Sequence, residues 1–161
     1  MPETTDPSTM RAVLGHFPSG VTIVTGTTPE GPAGFTCQSF SSLSLDPPLV
    51  LVLVGRSSTS WPTIEATGRF CVNVLAENQG ELSTTFAKSG TDKFAGVDWA
   101  ASDLGSPILA GALAWIDCTL HAVHEGGDHL IVVGAVHDLS AVGETGPLLF
   151  HRGAYARTAT P

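Results

Sequence analysis

The sequence predicts a mainly β domain with short helices, folded as a closed or nearly closed antiparallel barrel. Three observations predict it. Apolar or β-branched runs of strand length recur at Val21 to Thr25, Leu49 to Val54, Phe70 to Leu75, Leu113 to His124, His129 to Leu139 and Leu148 to His151. Tight turns join them where a parallel sheet would need regular crossover helices. The 161 residues, 42% of them hydrophobic, are enough for one core without staples, so a single domain over 1–161 is expected.

The elements follow in order. Asp6-Pro7 offers an N-cap with proline in the first turn, and Met10, Val13, Leu14 and Phe17 recur at helical spacing, which predicts a short amphipathic helix. Val21 to Thr25 and a strand around Gly34 flank the turn Thr28-Pro29-Glu30-Gly31 and form a hairpin. Gly34 to Val50, GFTCQSFSSLSLDPPLV, reads as a loop of small polar side chains ending in a double proline. Leu49 to Val54 is continuously apolar, as a strand buried on both faces would be. Ser60 is placed to cap a short helix with Trp61, Pro62 and Ile64, and Asn78 with Glu81 resembles a capping box for a helix carrying Leu82 and Phe86 that stops near Gly90. No repeat or linker divides the chain, and only its two ends look loose.

Composition narrows the function. A net charge of −8 with seven lysines and arginines repels a phosphate backbone, which excludes nucleic-acid binding. The apolar runs fall far below the roughly 20 residues that span a bilayer, and the polar, acidic start resembles no signal peptide, so a cytoplasmic protein is expected. Cys37, Cys71 and Cys118 are odd in number and widely spaced, which argues for buried or partly buried free thiols and against disulfides or a zinc knuckle.

Four segments are candidates for chemistry. Thr36, Gln38, Ser39, Ser41 and Ser42 can line a shallow cleft for a polar, planar ligand, or simply form a solvated loop. Gly55-Arg56-Ser57-Ser58-Thr59-Ser60-Trp61 runs from a strand end through hydroxyls into a helix start, which suits an anionic phosphate or an ordinary cap beside a surface arginine. In Phe86 to Phe94, Lys88 and Lys93 flank a glycine turn, so Lys93 can meet a phosphate and Phe86 or Phe94 an aromatic ring; the plain alternative is a helix C-cap. His121, His124, Asp128 and His129 make the one histidine cluster. His121 and His124 would point to opposite strand faces, and His124 and His129 flank a turn as cross-strand neighbours, so a hairpin rim is favoured and no metal is expected.

These segments together resemble the flavin reductases of two-component monooxygenases. Phe17-Pro18-Ser19-Gly20-Val21 matches their early turn, Gly34 to Val50 their flavin loop, Arg56 to Trp61 their phosphate-side segment, and Asp92-Lys93-Phe94 their DKF signature. Gly127-Asp128-His129 with Gly134-Ala135-Val136, and Pro147-Leu148-Leu149-Phe150 with Gly153-Ala154-Tyr155, match the later motifs. Cys37-Gln38-Ser39-Phe40 is similar to the loop of actinobacterial steroid and aromatic hydroxylase reductases, whereas His151 stands where a tyrosine is common.

The resemblance implies an FMN-binding split barrel, a Greek-key antiparallel barrel assembled as a homodimer. It implies an NAD(P)H-dependent flavin reductase that takes FMN or FAD with NADH or NADPH and supplies a partner monooxygenase through diffusible reduced flavin. By residue it implies that Thr36, Gln38 and Ser39 meet the isoalloxazine edge, with Gly34, Phe35, Cys37, Ser41, Leu53 and Gly55 around it. Arg56, Ser58, Thr59, Ser60 and Lys93 would meet the ribityl phosphate, with Trp61, Phe86 and Phe94 beside them. His129 would serve the nicotinamide side as the catalytic residue, and Phe150, His151, Arg152 and Tyr155 would line the nucleotide's cleft. Hydride transfer asks for positioning more than proton chemistry, in keeping with the lack of an obvious acid–base pair. A non-catalytic flavin-binding barrel and a split-barrel oxidase of another small substrate remain the alternatives; a dinucleotide fold is excluded because Gly26 to Gly34 holds no GxGxxG.

Overall fold

The Asp6 carboxylate accepts the Thr9 N–H, and helix α1 (Pro7–Leu14) follows with proline in its first turn, as the Asp-Pro pair predicts. The computed structural model describes residues 5–159; the expected domain's outermost residues, 1–4 and 160–161, which include part of the ends read as loose, lie outside the described residues. The apolar stripe of α1 does not join the core. Met10, Val13, Leu14 and Phe17 are all exposed, Phe17 by 82%.

Strands β1 (Ser19–Gly20) and β2 (Thr22–Thr28) come next, and β2 pairs antiparallel with β3 (Gly31–Cys37) from Thr22–Cys37 to Thr28–Gly31. Gly31, at φ +113°, makes the turn, a region open mainly to glycine. The segment read as a loop is largely strand. Its first residues complete β3, and β4 (Ser41–Leu45) folds back through a turn containing the cis Asp46–Pro47 peptide onto β5 (Pro48–Gly55). Serines hid β4 because an edge strand satisfies its free side with water and needs no apolar face.

Helix α2 (Trp61–Thr67), strand β6 (Arg69–Val74) and helix α3 (Gly80–Phe86) lie where expected, but their caps differ. Ser60 makes no side-chain cap; Ser58 Oγ accepts the Trp61 N–H at 3.2 Å. Gln79 replaces Asn78 at the start of α3, its Oε1 accepting the Ala76 N–H at 2.9 Å. A short hairpin, β7 (Trp99–Ala101) and β8 (Pro107–Leu109), precedes the long pair β9 (Ala114–Gly126) and β10 (His129–Ala141). The hairpin β11 (Leu148–His151) and β12 (Ala154–Arg157) closes the order.

Seven strands form one antiparallel sheet in the order β3-β2-β6-β9-β10-β5-β4, while β1-β11-β12 and β7-β8 are separate. The large sheet curls until β3 approaches β5. Its interior holds Val24, Val52, Val54, Phe70, Val72, Cys118 and Val132, with Trp61 and Ile64 of α2 packed into the same cluster. On the other side of β2, Val21, Ile23, Leu75, Phe86, Leu109 and Leu148 form a second cluster beneath α3 and the C-terminal hairpin.

Two expectations change here. β5 is buried on one face only: Val50, Val52 and Val54 point inward, whereas Leu53 is exposed and Leu49 and Leu51 are half-buried. His124 and His129 are not opposite one another, because His124 pairs with Ile131 and His129 with Gly126 across the turn. Among the described residues no three of His, Cys, Asp and Glu group as metal ligands. Cys37, Cys71 and Cys118 are all buried and unpaired, and burial pushes the Cys118 thiol up to about 12, far from a reactive thiolate.

Gly134, in the middle of β10, is fixed by packing. A Cβ there would lie 2.7 Å from Phe70 Cζ and 3.1 Å from Cys118 Cβ. Replacement by alanine must move a buried ring, so Gly134→Ala should lower unfolding stability by about 1–3 kcal/mol in a denaturant titration, and Phe70→Leu should recover part of the loss. An unchanged midpoint would mean that the core is looser than this contact implies.

Candidate active site

The sheet's ladder fails at one place, and the candidate site lies there. β4 covers the free edge of β5 only from Pro48 to Leu51, so Leu53 to Gly55 face β3 with no backbone ladder between them. Ser39 fills the gap with its side chain. Its Oγ accepts the Leu53 N–H at 3.0 Å and donates to the Leu53 carbonyl at 2.9 Å, while Cys37 Sγ lies 3.1 Å from the same hydroxyl.

Two adjoining cavities of about 270 and 380 Å³ open along this seam and share Phe35, Thr36 and Gly55. That size suits a small-molecule site. One reaches towards Gln38, Leu53 and His129, the other towards Ser58, Thr59, Ser60 and Phe86. A third hollow, bordered by Gly34 and Phe94, shares Thr59, Ser60 and Lys93 with the second, so the three make one continuous groove.

Lys93 stands at the last junction. Its ammonium donates to the Gly34 carbonyl at 3.0 Å and to Ser60 Oγ at 3.4 Å, and burial pushes its pKa below the ordinary value. A partly desolvated cation among hydroxyls attracts an anion more strongly than one in bulk water does. Gly34 itself is required to be small, since a Cβ would meet the Val24 carbonyl at 2.9 Å and the Phe86 ring at 3.1 Å. At the other end, His129 Nδ1 lies 2.8 Å from Asp128 Oδ1. The hydrogen bond from His129 holds the Asp128 carboxyl below its ordinary value, so the carboxylate accepts and Nδ1 carries the proton.

The groove therefore brings together Gly34, Phe35, Thr36, Cys37, Gln38, Ser39, Leu53, Gly55, Ser58, Thr59, Ser60, Phe86, Lys93, Phe94 and His129. Some hydroxyls there are already engaged. Thr36 Oγ1 donates its proton to the Ser83 carbonyl at 2.6 Å and is left only its acceptor capacity.

Other expected residues stand elsewhere. Arg56 turns away from the groove, Nε donating to the Gly127 carbonyl at 2.8 Å and an NH2 group paired with Glu125, so it clamps the β9–β10 turn. Trp61 is 2% exposed, edge-on to Phe35 and Phe70 in the core. Ser41 lies on β4 outside the groove, its hydroxyl donating to the Ser42 carbonyl. Phe150, His151, Arg152 and Tyr155 sit on the β11–β12 hairpin beside the groove without lining it; Phe150 pairs with Ser19, which does line it. Ser19, Ser57, Ala87 and Ser89 join the lining although none was named as an expected contact; all four lie inside segments singled out above.

Comparison with known proteins follows the same outline. Residues 14–159 match the family model described as a flavin reductase like domain. The reductase subunit HsaB of a flavin-dependent monooxygenase from Mycobacterium tuberculosis is 55% identical over 152 residues, covering 93% of this chain and 81% of that protein. The crystal structure of nitrilotriacetate monooxygenase component B from Mycobacterium thermoresistibile is similar at TM-score 0.91 and 55% identity, covering 96% of this chain and 89% of that one. An NADH:FAD oxidoreductase from Streptomyces globisporus, solved with NAD and FAD fragments, is similar at TM-score 0.89 and 38% identity, covering 98% and 97% of the two chains.

If the Lys93 end takes phosphate, inorganic phosphate well above its dissociation constant should raise Tm, and Lys93→Met should abolish the rise. Equal rises in the two proteins would place the anion elsewhere.

Proposed function

The chain belongs to the flavin reductase-like family, and from that premise we propose that it is an NAD(P)H:flavin oxidoreductase that reduces FMN or FAD and supplies reduced flavin to a partner monooxygenase. The observation that carries this reading is the seam between β3 and β5, a groove with a partly desolvated ammonium at one end and His129 at the other. A planar ring bearing a phosphorylated chain matches that order of groups.

When bound, flavin supplies the redox chemistry by accepting a hydride from the nicotinamide nucleotide. The chain's own residues bind and orient. The backbone of 36–39, on the open edge of β3, and the Gln38 amide would meet the polar ring edge. Ser58, Thr59, Ser60 and Lys93 would hold the phosphate. His129, oriented by Asp128, would meet the nicotinamide side, and Phe150, His151, Arg152 and Tyr155 would border the nucleotide. Arg56 is left out of the phosphate site because Glu125 and Gly127 already satisfy it. Holding the two rings in register lowers the barrier without a general acid or base.

NADH is our expected donor, by analogy with the Streptomyces relative named for NADH and FAD. We also propose a homodimer in which a second copy covers the stripe of α1 and the outer face of β5, apolar surfaces that this chain leaves open. A monomeric mass in light scattering would overturn that assembly.

Loss of NADH absorbance, followed with and without FMN or FAD and with NADPH for comparison, tests the activity. Rapid flavin-dependent oxidation is expected; flavin binding without turnover would move the protein to a binding module. In the same assay His129→Ala should raise KM for NADH about fivefold, the loss of one hydrogen bond worth about 1 kcal/mol, and leave KM for flavin nearly unchanged. Equal rises would remove His129 from the nicotinamide side.

A further inference from the structure

Tyr155, expected beside the nucleotide, has its phenol committed elsewhere. Its OH donates to Ser83 Oγ at 2.8 Å and lies 3.1 Å from Thr84 Oγ1. Ser83 sits fully buried on α3, and its carbonyl, which already accepts the Ala87 N–H at 3.1 Å, also accepts Thr36 Oγ1 at 2.6 Å. Three side chains thus connect β12, which has no ladder with the barrel, to the edge of β3 that borders the groove.

Packing alone is a poor account of this contact. Tyr155 is 42% exposed, so water can replace its partner at little cost, and the hairpin is already anchored by the β1–β11 pairing. What the phenol adds is a link. Tyr155 stacks edge-on against Phe150 at 5.6 Å, and Phe150 pairs with the groove-lining Ser19. A nucleotide seated on the hairpin would favour the arrangement in which these contacts are made, the phenol on Ser83 and the Ser83 carbonyl on the Thr36 side chain.

We propose that Ser83 and Tyr155 are positioning residues that couple the nucleotide side of the groove to its flavin side, so that each ligand strengthens binding of the other. The inference rests on the proposed flavin reductase activity. Coupling of this kind is reciprocal by thermodynamic linkage.

Flavin affinity, read from quenching of flavin fluorescence with and without saturating NAD⁺, tests it without turnover. In the native protein NAD⁺ should tighten flavin binding by about fivefold or more, within the usual range for coupled sites. In Tyr155→Phe, which keeps the ring against Phe150, and in Ser83→Ala, that ratio should fall to near one while thermal melting verifies the fold. A native ratio near one, or an undiminished ratio in Tyr155→Phe, would overturn the inference and leave the reductase reading standing. Absence of flavin binding to the native protein would overturn the reductase reading and the inference together.

Discussion

The bridge from Ser39 to Leu53 is the constraint on which the site depends. A barrel closed entirely by backbone ladder would spend the edge groups of β3 and β5 on each other and leave none for a ligand. Here β4 takes half of the β5 edge, and a hydroxyl answers both the N–H and the carbonyl of Leu53. The barrel is held shut at one point and open on both sides of it. The groove follows from that geometry, with Cys37 and Gln38 beside the bridge and the hydroxyl run of 57–60 beyond the end of β5.

In the groove, Thr36, Ser39 and His129 each have a protein partner, at Ser83, Leu53 and Asp128. Lys93 differs, because its partners are a carbonyl and a hydroxyl that leave its charge uncompensated. On the proposed function that charge would meet the anionic end of the ligand, in a chain whose net charge is −8.

The parts of the fold that were legible in the sequence are those that are deeply buried. β2, β6 and β10 carry β-branched runs facing the core, and the apolar pattern found them. β4, β7, β8 and β12 escaped it: β4 and β12 are short edge strands with no buried residue, and β7 and β8 are three residues each, too short for a pattern to show. Among the residues that line the groove, the 34–39 segment stood in one local run and Lys93 in another, each contiguous in the sequence. The place of Arg56 could not be read from its local run, since the groups that occupy it are Glu125 and Gly127, brought near only by the β9–β10 turn. Tyr155 is the same case, its partner Ser83 being set by the approach of a separate sheet to α3. The continuous apolar run of β5 suggested two buried faces where one chain buries only one, and the α1 stripe reads the same way. Both are apolar surfaces that this chain leaves exposed.

The most direct test of the account is the location of bound flavin, read from difference density in crystals of the protein grown with FMN. The ring should lie in the seam between residues 36–39 and 53–55, with its phosphate against Ser58 to Ser60 and Lys93. Density for the ring in another hollow, such as the apolar groove between Trp99 and Trp115, would contradict it.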